Sequence, residues 1–356
     1  MPSRPDEPVF APYGDTRIFY PCNDQIRRSL RAREPIPMRG TNLAHCEGPS
    51  VSKPTQTFNF YLLQGVLMRL LSLVLSALVG TSLAASSALA LSLESAGNYA
   101  AVALNGQLKT TISSGGTVVN GDIYVGNNPS ANPDLDFSGG GQINGTIYAD
   151  PNATINLSGG STATGGTIFL SSAASNQVET DVNAYLSQVS VLSADQSIGA
   201  VSGSTTIFAS QSGLTVVDAT SFNLQGGSTL TVSGTASDTF IIRVSGTLTT
   251  GGNSNIALDG GVTASNVVFV VANDITMSGG TIDGIFLSSG GNITLSAGVH
   301  NGAYILAGDG KQLKFQSAPT VNFVGGPPAV PVPEPSAALV FGMGLFVVSR
   351  LPRRAR

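Results

Sequence analysis

Few residues in the central part of the chain could support catalysis or bind a metal ion. Between residues 91 and 331 the sequence has one histidine, His300, and no cysteine, because Cys22 and Cys46 lie upstream. One histidine without cysteine excludes a closed zinc site there. A Ser-His-Asp triad would have to use His300, yet no Gly-x-Ser-x-Gly motif accompanies it. Because Asn301 and Gly302 follow it, we predict that His300 is a solvent-exposed turn residue.

Carboxylates offer the other routes to chemistry. Asp134 and Asp136 could act as a pair in sugar hydrolysis, since solenoid folds do host enzymes of that kind. Together with Asp150 they could bind calcium, although their spacing matches no known loop motif. They lie in a loop that is preceded by proline and followed by glycine, where acidic residues usually stabilise turns. We therefore expect no enzyme activity, no metal site and no cofactor.

The charge distribution argues against a nucleic-acid partner. The whole chain has a net charge of −4, but residues 91–331 contain four basic and fourteen acidic residues, a net charge of −10. Such a surface offers no basic patch for a phosphate backbone. The 43 glycines could indicate disorder, but valine, isoleucine, leucine and phenylalanine recur throughout this segment and indicate a folded core.

Short alternating strands separated by glycine turns repeat along this segment. The unit at residues 274–287 is nearly repeated at 292–307, and a similar unit occupies 154–170. The alternation places Ile275 and Met277 on one side of a strand and Thr276 on the other. A unit this short cannot bury its own apolar side, so copies must stack. We predict an all-β fold, a β-solenoid, whose aromatic residues stack from rung to rung.

A row of threonine and asparagine is predicted on the outside of this solenoid. The interval in sequence from Thr276 to Thr294 equals the interval from Thr231 to Thr249. Six residues have the same place in their strands, namely Asn156, Asn223, Thr231, Thr249, Thr276 and Thr294. Stacked rungs would set them ~4.8 Å apart. The row reflects either the strand preference of threonine alone or a regular hydroxyl and methyl array that orders water, as an ice-binding surface must.

One segment has helical periodicity. Apolar residues recur at helical spacing from Val178 to Val189, which predicts a helix over 176–191. Asn176 and Glu179 have the spacing of a capping box. The apolar stripe of this helix must lie against the outside of the solenoid. The strand Val267–Val271 is apolar on both sides, which predicts that it lies between the solenoid core and the helix.

The N-terminal residues differ from the solenoid segment. Residues 1–67 are rich in proline and basic residues and show no apolar period, so they are either a disordered leader or lie upstream of a true start at Met68. Met68 and Arg69, the apolar run Leu70–Val79 and the small residues at 88 and 90 have the order of a secretory signal peptide, residues 68–90. A buried helix or a membrane anchor is the alternative.

The C-terminal residues 326–356 form a separate three-part segment. Pro333, Glu334 and Pro335 precede an uncharged run at 337–348, and arginines follow at 350, 353, 354 and 356. This layout resembles the PEP-CTERM sorting signal of Gram-negative bacteria. The resemblance implies cleavage near Pro333–Pro335 by an exosortase-type membrane peptidase, and transient anchoring in the inner membrane through residues 337–348. A plain tail anchor is the alternative.

The solenoid segment resembles the microbial ice-binding-like proteins. The likeness is carried by residues 96–103, 110–123, the helical segment, 238–250, 264–271 and 292–303. It implies an irregular β-helix of roughly triangular section with one α-helix alongside, a function that depends on surface shape, and no catalytic residues. Two departures are an additional rung at Thr154–Ser171 and the stretch Tyr124–Pro129 in place of the usual Gly-Val-Ser-Pro.

We therefore expect residues 91–325 to form an exported ice-binding-like domain at the cell surface, whose partner is ice or ordered water. A structural or adhesive protein of the extracellular matrix that binds polysaccharide is the first alternative, and the sorting signal by itself favours it. A polysaccharide-active enzyme is the second alternative, and it would need acidic residues clustered on one face.

Overall fold

The computed structural model describes residues 90–110, 116–129 and 133–331. All of them belong to one of the two compact units of the chain, Ala77–Arg356. The predicted leader 1–67, the predicted signal peptide 68–90 except Ala90, and the predicted sorting signal with Pro333, Glu334, Pro335 and the run 337–348 lie outside the described residues. No helix in the described part of the chain is long and apolar enough to cross a membrane.

In the described residues, two series of short strands precede and follow one long helix in the sequence. Before the helix the strands are β1 (Ala90–Leu91), β2 (Ala101–Ala103), β3 (Gln107–Thr110), β4 (Val118–Asn120), β5 (Ile123–Val125), β6 (Leu135–Phe137), β7 (Gln142–Ile143), β8 (Ile147–Ala149), β9 (Ile155–Leu157), β10 (Thr162–Ala163) and β11 (Thr167–Phe169). The helix is α1 (Ser172–Ser190), and 3₁₀ turns occur at Glu94–Asn98 and Ala264–Asn266. After the helix the strands are β12 (Gln196–Val201), β13 (Thr205–Phe208), β14 (Leu214–Leu224), β15 (Thr229–Ser233), β16 (Thr239–Val244), β17 (Leu248–Thr250), β18 (Asn255–Asp259), β19 (Val267–Val271), β20 (Ile275–Ser278), β21 (Thr281–Ser288), β22 (Ile293–Ser296), β23 (Val299–Leu306), β24 (Gln312–Gln316), β25 (Thr320–Asn322) and β26 (Val330–Pro331).

Each turn of the solenoid contributes strands to three faces, and the strands of each face pair in parallel from one turn to the next. We name each face after the helix or the residues on its outer side. The helix face contains β2, β5, β8, β11, β12, β16, β19 and the parts of β14, β21 and β23 that pair with them. The threonine face contains β3, β6, β9, β17, β20, β22, β24 and residues 222–224 of β14. The asparagine face contains β4, β7, β10, β13, β15, β18, β25 and the first residues of β21 and β23. The predicted all-β solenoid with one helix is confirmed.

The order of the rungs along the solenoid differs from their order in the sequence. It starts in the middle, where β2 lies beside β23, β3 beside β24 and β4 beside β25. From there β2 to β11 build rungs toward one end, and β12 to β25 build rungs from the opposite end back to the middle. Helix α1 joins the two ends along the outside. Neighbours such as Leu108 and Leu313 are therefore far apart in sequence.

The inward-facing side chains form an apolar core. Three aromatic rings stack within it, with Phe269 on Phe286 at a centroid distance of 4.8 Å and Phe286 on Tyr304 at 5.3 Å. These residues are in register on neighbouring strands, so the predicted stacking from rung to rung is confirmed for them. It was wrong for Phe169, which is in register with Ala149 rather than with the aromatic residue Tyr148. Burying each such side chain contributes about 1.5–3 kcal/mol relative to leaving it exposed.

Helix α1 begins earlier than the apolar pattern predicts. Its N-cap is Ser171, whose Oγ accepts a hydrogen bond from the Ala174 N–H at 3.3 Å. Asn176 therefore lies inside the helix, and the predicted capping box of Asn176 and Glu179 was wrong. Serine and asparagine are equally good N-caps, so capping preference alone does not choose between the two positions.

The apolar stripe of α1 packs on the helix face, as predicted. Val178, Tyr185 and Val189 are buried against outward-facing residues of that face, among them Val268. Phe269, on the other side of the same strand, points into the core. Strand β19 is thus buried on both sides, which confirms the prediction for Val267–Val271.

The rungs differ in length, and glycine allows the shortest ones to close. The rung from Thr276 to Thr294 uses fewer residues than the rung from Thr249 to Thr276, although each joins neighbouring strands of one face. Gly284 of the short rung lies against Gly302 of the next rung, and a Cβ on Gly302 would approach the Gly284 carbonyl oxygen to 1.6 Å. This close approach of two backbones requires a residue without a side chain.

The two ends of the described segment meet. Strands β1 and β26 pair antiparallel, with Ala90 opposite Pro331 and Leu91 opposite Val330. Strand β26 lies beyond the predicted domain boundary at residue 325. This pairing brings the two ends of the segment 90–331 together, and the apolar core lies between them in the sequence.

Candidate functional site

The threonine face carries a row of short polar side chains in register. Thr276 is exposed between two buried neighbours in β20, because alternate residues of a strand point to opposite sides. Parallel pairing sets Thr249 and Thr294 on either side of Thr276, and Asn223 beside Thr249. We name Asn223, Thr249, Thr276 and Thr294 the threonine row.

Hydrogen bonds beside the threonine row tie neighbouring strands together. Asp274 Oδ1 accepts a bond from the Asn292 N–H at 2.7 Å, and Asn292 Oδ1 accepts one from the Gln312 N–H at 3.0 Å. Gln312 Nε2 then donates to Gln107 Oε1 at 3.1 Å. These bonds tie the ends of β20, β22, β24 and β3 to one another and so hold successive strands of the face in register.

The threonine row ends at two lysines. Lys314 lies beside Thr294, Lys109 lies beside Lys314, and Asp136 and Asn156 follow. Asn156 Nδ2 donates to Asp136 Oδ1 at 2.9 Å. Asn156 therefore shares the threonine face, but three charged residues separate it from the row. Neither lysine forms an ion pair with another described residue.

Thr231 does not belong to the threonine row. It lies in β15 on the asparagine face, where its neighbours are Thr206 and Ala257. The interval from Thr231 to Thr249 therefore connects two different faces. The true neighbour of Thr249 is Asn223, which lies farther back in the sequence. The predicted alignment of Thr231 with the other five residues was therefore wrong.

The asparagine face carries a ladder of side-chain amides that sequence reasoning missed. Each Nδ2 donates to the next Oδ1 at 2.7–2.9 Å, in the order Asn144, Asn120, Asn322, Asn301 and finally the carboxylate of Asp283. The available signal was the Asn-Gly or Asp-Gly pair that recurs at 120, 144, 283 and 301. Burial raises the pKa of Asp283, although the bond from Asn301 opposes that shift. Because these groups satisfy one another, they leave less hydrogen-bonding capacity for ordered water.

His300 lies in the core rather than at the surface. Its side chain is fully buried, with Nδ1 2.8 Å from the Tyr304 hydroxyl and Nε2 2.9 Å from the Ala297 carbonyl oxygen. A carbonyl oxygen only accepts, so Nε2 carries the proton and Nδ1 of the neutral ring accepts from Tyr304. Burial lowers the pKa of His300, although the bond to Ala297 opposes that shift. The prediction of a solvent-exposed turn histidine was wrong.

The three aspartates proposed for hydrolysis or calcium binding do not share one site. Asp134 is buried and accepts bonds from the N–H groups of Asn128 and Thr154, both at 2.8 Å. Asp136 projects from the threonine face, and Asp150 accepts a bond from Ser175 Oγ at 2.5 Å. The described residues contain no group of three or more acidic, histidine or cysteine side chains that could hold a metal ion.

A cleft of about 750 Å³ lies on the helix face beside the C-terminal end of α1. Arg243 lines it, and its Nε donates to Asp218 Oδ1 at 2.6 Å. Its Nη1 donates to the carbonyl oxygens of Val189 at 2.9 Å and Leu192 at 2.8 Å. Val189 lies in the last turn of α1 and Leu192 just beyond it, so Arg243 ties the C-terminal end of the helix to the sheet and has a structural role in this cleft.

Residues 104–317 match the family described as ice-binding-like. No curated protein matches the chain.

Similar solved structures include three ice-binding proteins. A domain of one from Shewanella frigidimarina is 20% identical, covers 67% of this chain and 98% of that chain, and has a TM-score of 0.47. One from the Antarctic ascomycete Antarctomyces psychrotrophicus is 21% identical, covers 66% and 99%, and has a TM-score of 0.46. One from an Arctic yeast is 18% identical, covers 70% and 99%, and has a TM-score of 0.47.

Proposed function

The chain belongs to the ice-binding-like family, and from this premise we propose that its solenoid binds ice through the threonine row, without catalysis. Family membership over residues 104–317 is the observation that carries the proposal. The partner is then the ice surface, or the layer of ordered water next to it.

The spacing of the threonine row supports a contact with an ordered lattice. Neighbouring strands lie ~4.8 Å apart, so the three steps from Asn223 to Thr294 span ~14 Å. Each threonine presents one hydroxyl and one methyl group at a repeated position. The residues on either side of Thr276 in its strand, Ile275 and Met277, are fully buried and anchor the strand to the core.

The other two faces are less suited to such a contact. Helix α1 covers much of the helix face. On the asparagine face the amides from Asn144 to Asn301 already bond to one another and to Asp283. The threonine row lacks such a chain of side-chain bonds, so its hydroxyl groups can bind water.

A second candidate function is binding of an acidic polysaccharide as part of the extracellular matrix. The neighbouring Lys109 and Lys314 favour it, because two unpaired ammonium groups on a flat sheet attract anionic groups. A polysaccharide-active enzyme has less support. Asp134 is engaged by the N–H groups of Asn128 and Thr154, and Asp136 by Asn156.

We propose further that the protein is exported and reaches the cell surface of a Gram-negative bacterium. The sequence layouts at 68–90 and 326–356 support this proposal. An exosortase-type peptidase would cleave near Pro333, Glu334 and Pro335 after transient anchoring in the inner membrane through 337–348. Mass spectrometry of the surface protein tests it, and a mature chain that retains residues 337–348 would contradict it.

Thermal hysteresis and ice-crystal shape, measured on the segment 90–331, test the proposed function. We expect faceted crystals and a gap between melting and freezing points. Thr276→Tyr with Thr294→Tyr should abolish both, because two rings raised above the row prevent flat contact. The stability should change little, since Thr276 is exposed and Thr294 half-buried.

The matched control places two tyrosines on the asparagine face, by Thr281→Tyr with Thr320→Tyr. Both residues face outward there, on either side of Val299. The control should retain full activity. Activity lost in the control but kept in the Thr276 and Thr294 variant would move the ice contact to the asparagine face. Round crystals and no gap with the parent protein would refute ice binding and favour the matrix function.

A further inference from the structure

One end of the solenoid, formed by β9, β10 and β11, leaves core-type side chains uncovered; we name it the open end. Phe169 of β11 is in register with Ala149, whose side chain is fully buried in the core. Phe169 occupies the corresponding inward position, yet 55% of it is exposed. Its neighbour Ile168 is 46% exposed. Ile168 alternates with Phe169 and lies in register with Tyr148 on the outer side of the helix face. Isolated apolar residues at a surface are ordinary, but Phe169 adjoins a truncated core.

The open end also carries three strand edges. In the described residues β9 pairs only with β6, β10 only with β7 and β11 only with β8. A Cβ at Gly160 or Gly166, in the turns of this end, would meet no atom within 4 Å. Unprotected edges are templates for pairing with another chain. Terminal repeats of solenoids usually carry a polar cap that prevents this, and none covers this end in the described residues.

The opposite end, formed by β12 and β13, is different. Ile207 points into the core there and is only 2% exposed. Phe208 is 62% exposed, but it follows Ile207 in the strand and therefore points outward from the asparagine face. Strands β12 and β13 also pair on one side only, but the inward Ile207 is buried at this end, whereas the inward Phe169 is exposed at the open end.

We propose that the open end is the interface of a two-fold dimer of this chain. The three unpaired strand edges lie on three different faces of the solenoid. A single peptide segment pairs with one edge only, so it would leave the other two uncovered. A second open end supplies three edges at the same spacing, together with the same apolar side chains. A two-fold contact is closed, so it covers both open ends without producing a filament.

The shape of the open end suits this contact. Strand β11 begins a rung that continues into α1 rather than onto the other two faces, so the end is stepped. A two-fold rotation can seat β11 of each copy over β9 or β10 of the other. Phe169 of each copy then enters the core of its partner, as an aromatic anchor does at an interface centre.

Light scattering during size-exclusion chromatography tests the proposal on both the segment 90–331 and the full chain. We expect twice the monomer mass for each. Phe169→Asp should raise the dissociation constant at least roughly 30-fold, the effect of losing an interface hot spot. Ile168→Asp gives a second, independent variant at the same end. Circular dichroism and thermal melting verify that both variants fold.

The control is Phe208→Asp, which removes a similarly exposed phenylalanine at the opposite end and should leave the dimer intact. A monomeric segment 90–331 would overturn the proposal. So would a dimer that survives Phe169→Asp and Ile168→Asp, or a series of higher oligomers that Phe208→Asp dissolves, which would indicate a head-to-tail contact. A dimeric segment with a monomeric full chain would show instead that another part of this chain covers the open end.

Discussion

The threonine row stops where Lys314 and Lys109 occupy its next two positions. If the row binds ice, these lysines limit its length, because a charged side chain rises above the neighbouring threonines and holds its own hydration shell. Replacing both by threonine should therefore lengthen the row. The three steps from Asn223 to Thr294 span ~14 Å, and five steps to position 109 would span ~24 Å.

The same change should not harm the fold. Lys109 and Lys314 are neighbours without an ion pair among the described residues. Two like charges ~5 Å apart in water repel by about 0.8 kcal/mol, and salt reduces this value. Threonine also favours strands. We expect Lys109→Thr with Lys314→Thr to stabilise the solenoid by at most about 1 kcal/mol, as measured by urea unfolding.

Thermal hysteresis at matched protein concentration is the assay for the longer row. The Lys109→Thr and Lys314→Thr variant should exceed the parent protein, and Lys314→Thr alone should have an intermediate value. Lys311→Thr is the matched control, because it removes one positive charge at a turn residue that is not in the row. If Lys311→Thr raises the activity as much as Lys314→Thr, net charge is the cause. If the double variant gains nothing, the reasoning about the row is refuted.

Two further predictions concern the core. Burial lowers the pKa of His300 in the folded chain. Below the ordinary histidine pKa of about 6.5, the unfolded chain therefore binds a proton that the folded chain does not. The stability of the fold should accordingly decrease as the pH falls below that value. His300→Phe should cost about 1–3 kcal/mol at neutral pH, since the Tyr304 hydroxyl loses its bond to the ring and keeps only the weak acceptor Met277 Sδ at 3.6 Å. The variant should also flatten the pH dependence in urea unfolding, and an unchanged slope would contradict a buried neutral ring. Gly302→Ala should destabilise the fold by at least about 3 kcal/mol, because its Cβ would overlap the Gly284 carbonyl oxygen. Gly199→Ala, whose Cβ meets nothing within 4 Å, should change the melting temperature little, and equal effects of the two alanines would contradict the tight corner.

The fold could be predicted from the sequence because its signals are local. Alternation at Ile275, Thr276 and Met277 fixes which side chains enter the core, and the helical spacing from Val178 to Val189 identifies the one long helix of the described segment. The need of each short unit to stack then leaves a solenoid. No signal of this kind locates the first turn of the helix, because Ser171 and Asn176 are equally good caps.

The assignment of strands to faces could not be predicted in the same way. It depends on loop lengths, and these vary, so that the interval from Thr276 to Thr294 is shorter than the interval from Asn223 to Thr249. The same irregularity misplaced Thr231. The adjacency of Lys109 and Lys314 was also hidden, because the chain reaches these two strands from opposite ends of the solenoid.

The burial of His300 was within reach of the sequence. Residues 299–302 repeat the pattern of residues 281–284, and His300 stands where the earlier copy has Ile282. Alternation predicts an inward position for both residues. The partner that satisfies the ring, Tyr304, lies in the same strand but belongs to the helix face, and the sequence does not show that β23 continues from one face to the next.

Direct observation of the protein on ice tests the central claim most sharply. The segment 90–331 contains no cysteine, so Ala184→Cys on the exposed side of α1 can carry a single fluorophore. A single ice crystal grown in the labelled protein should become fluorescent on defined planes. The Thr276→Tyr and Thr294→Tyr variant should leave the ice dark, whereas the Thr281→Tyr and Thr320→Tyr variant should label it like the parent. Equal labelling by all three proteins would contradict binding through the threonine row.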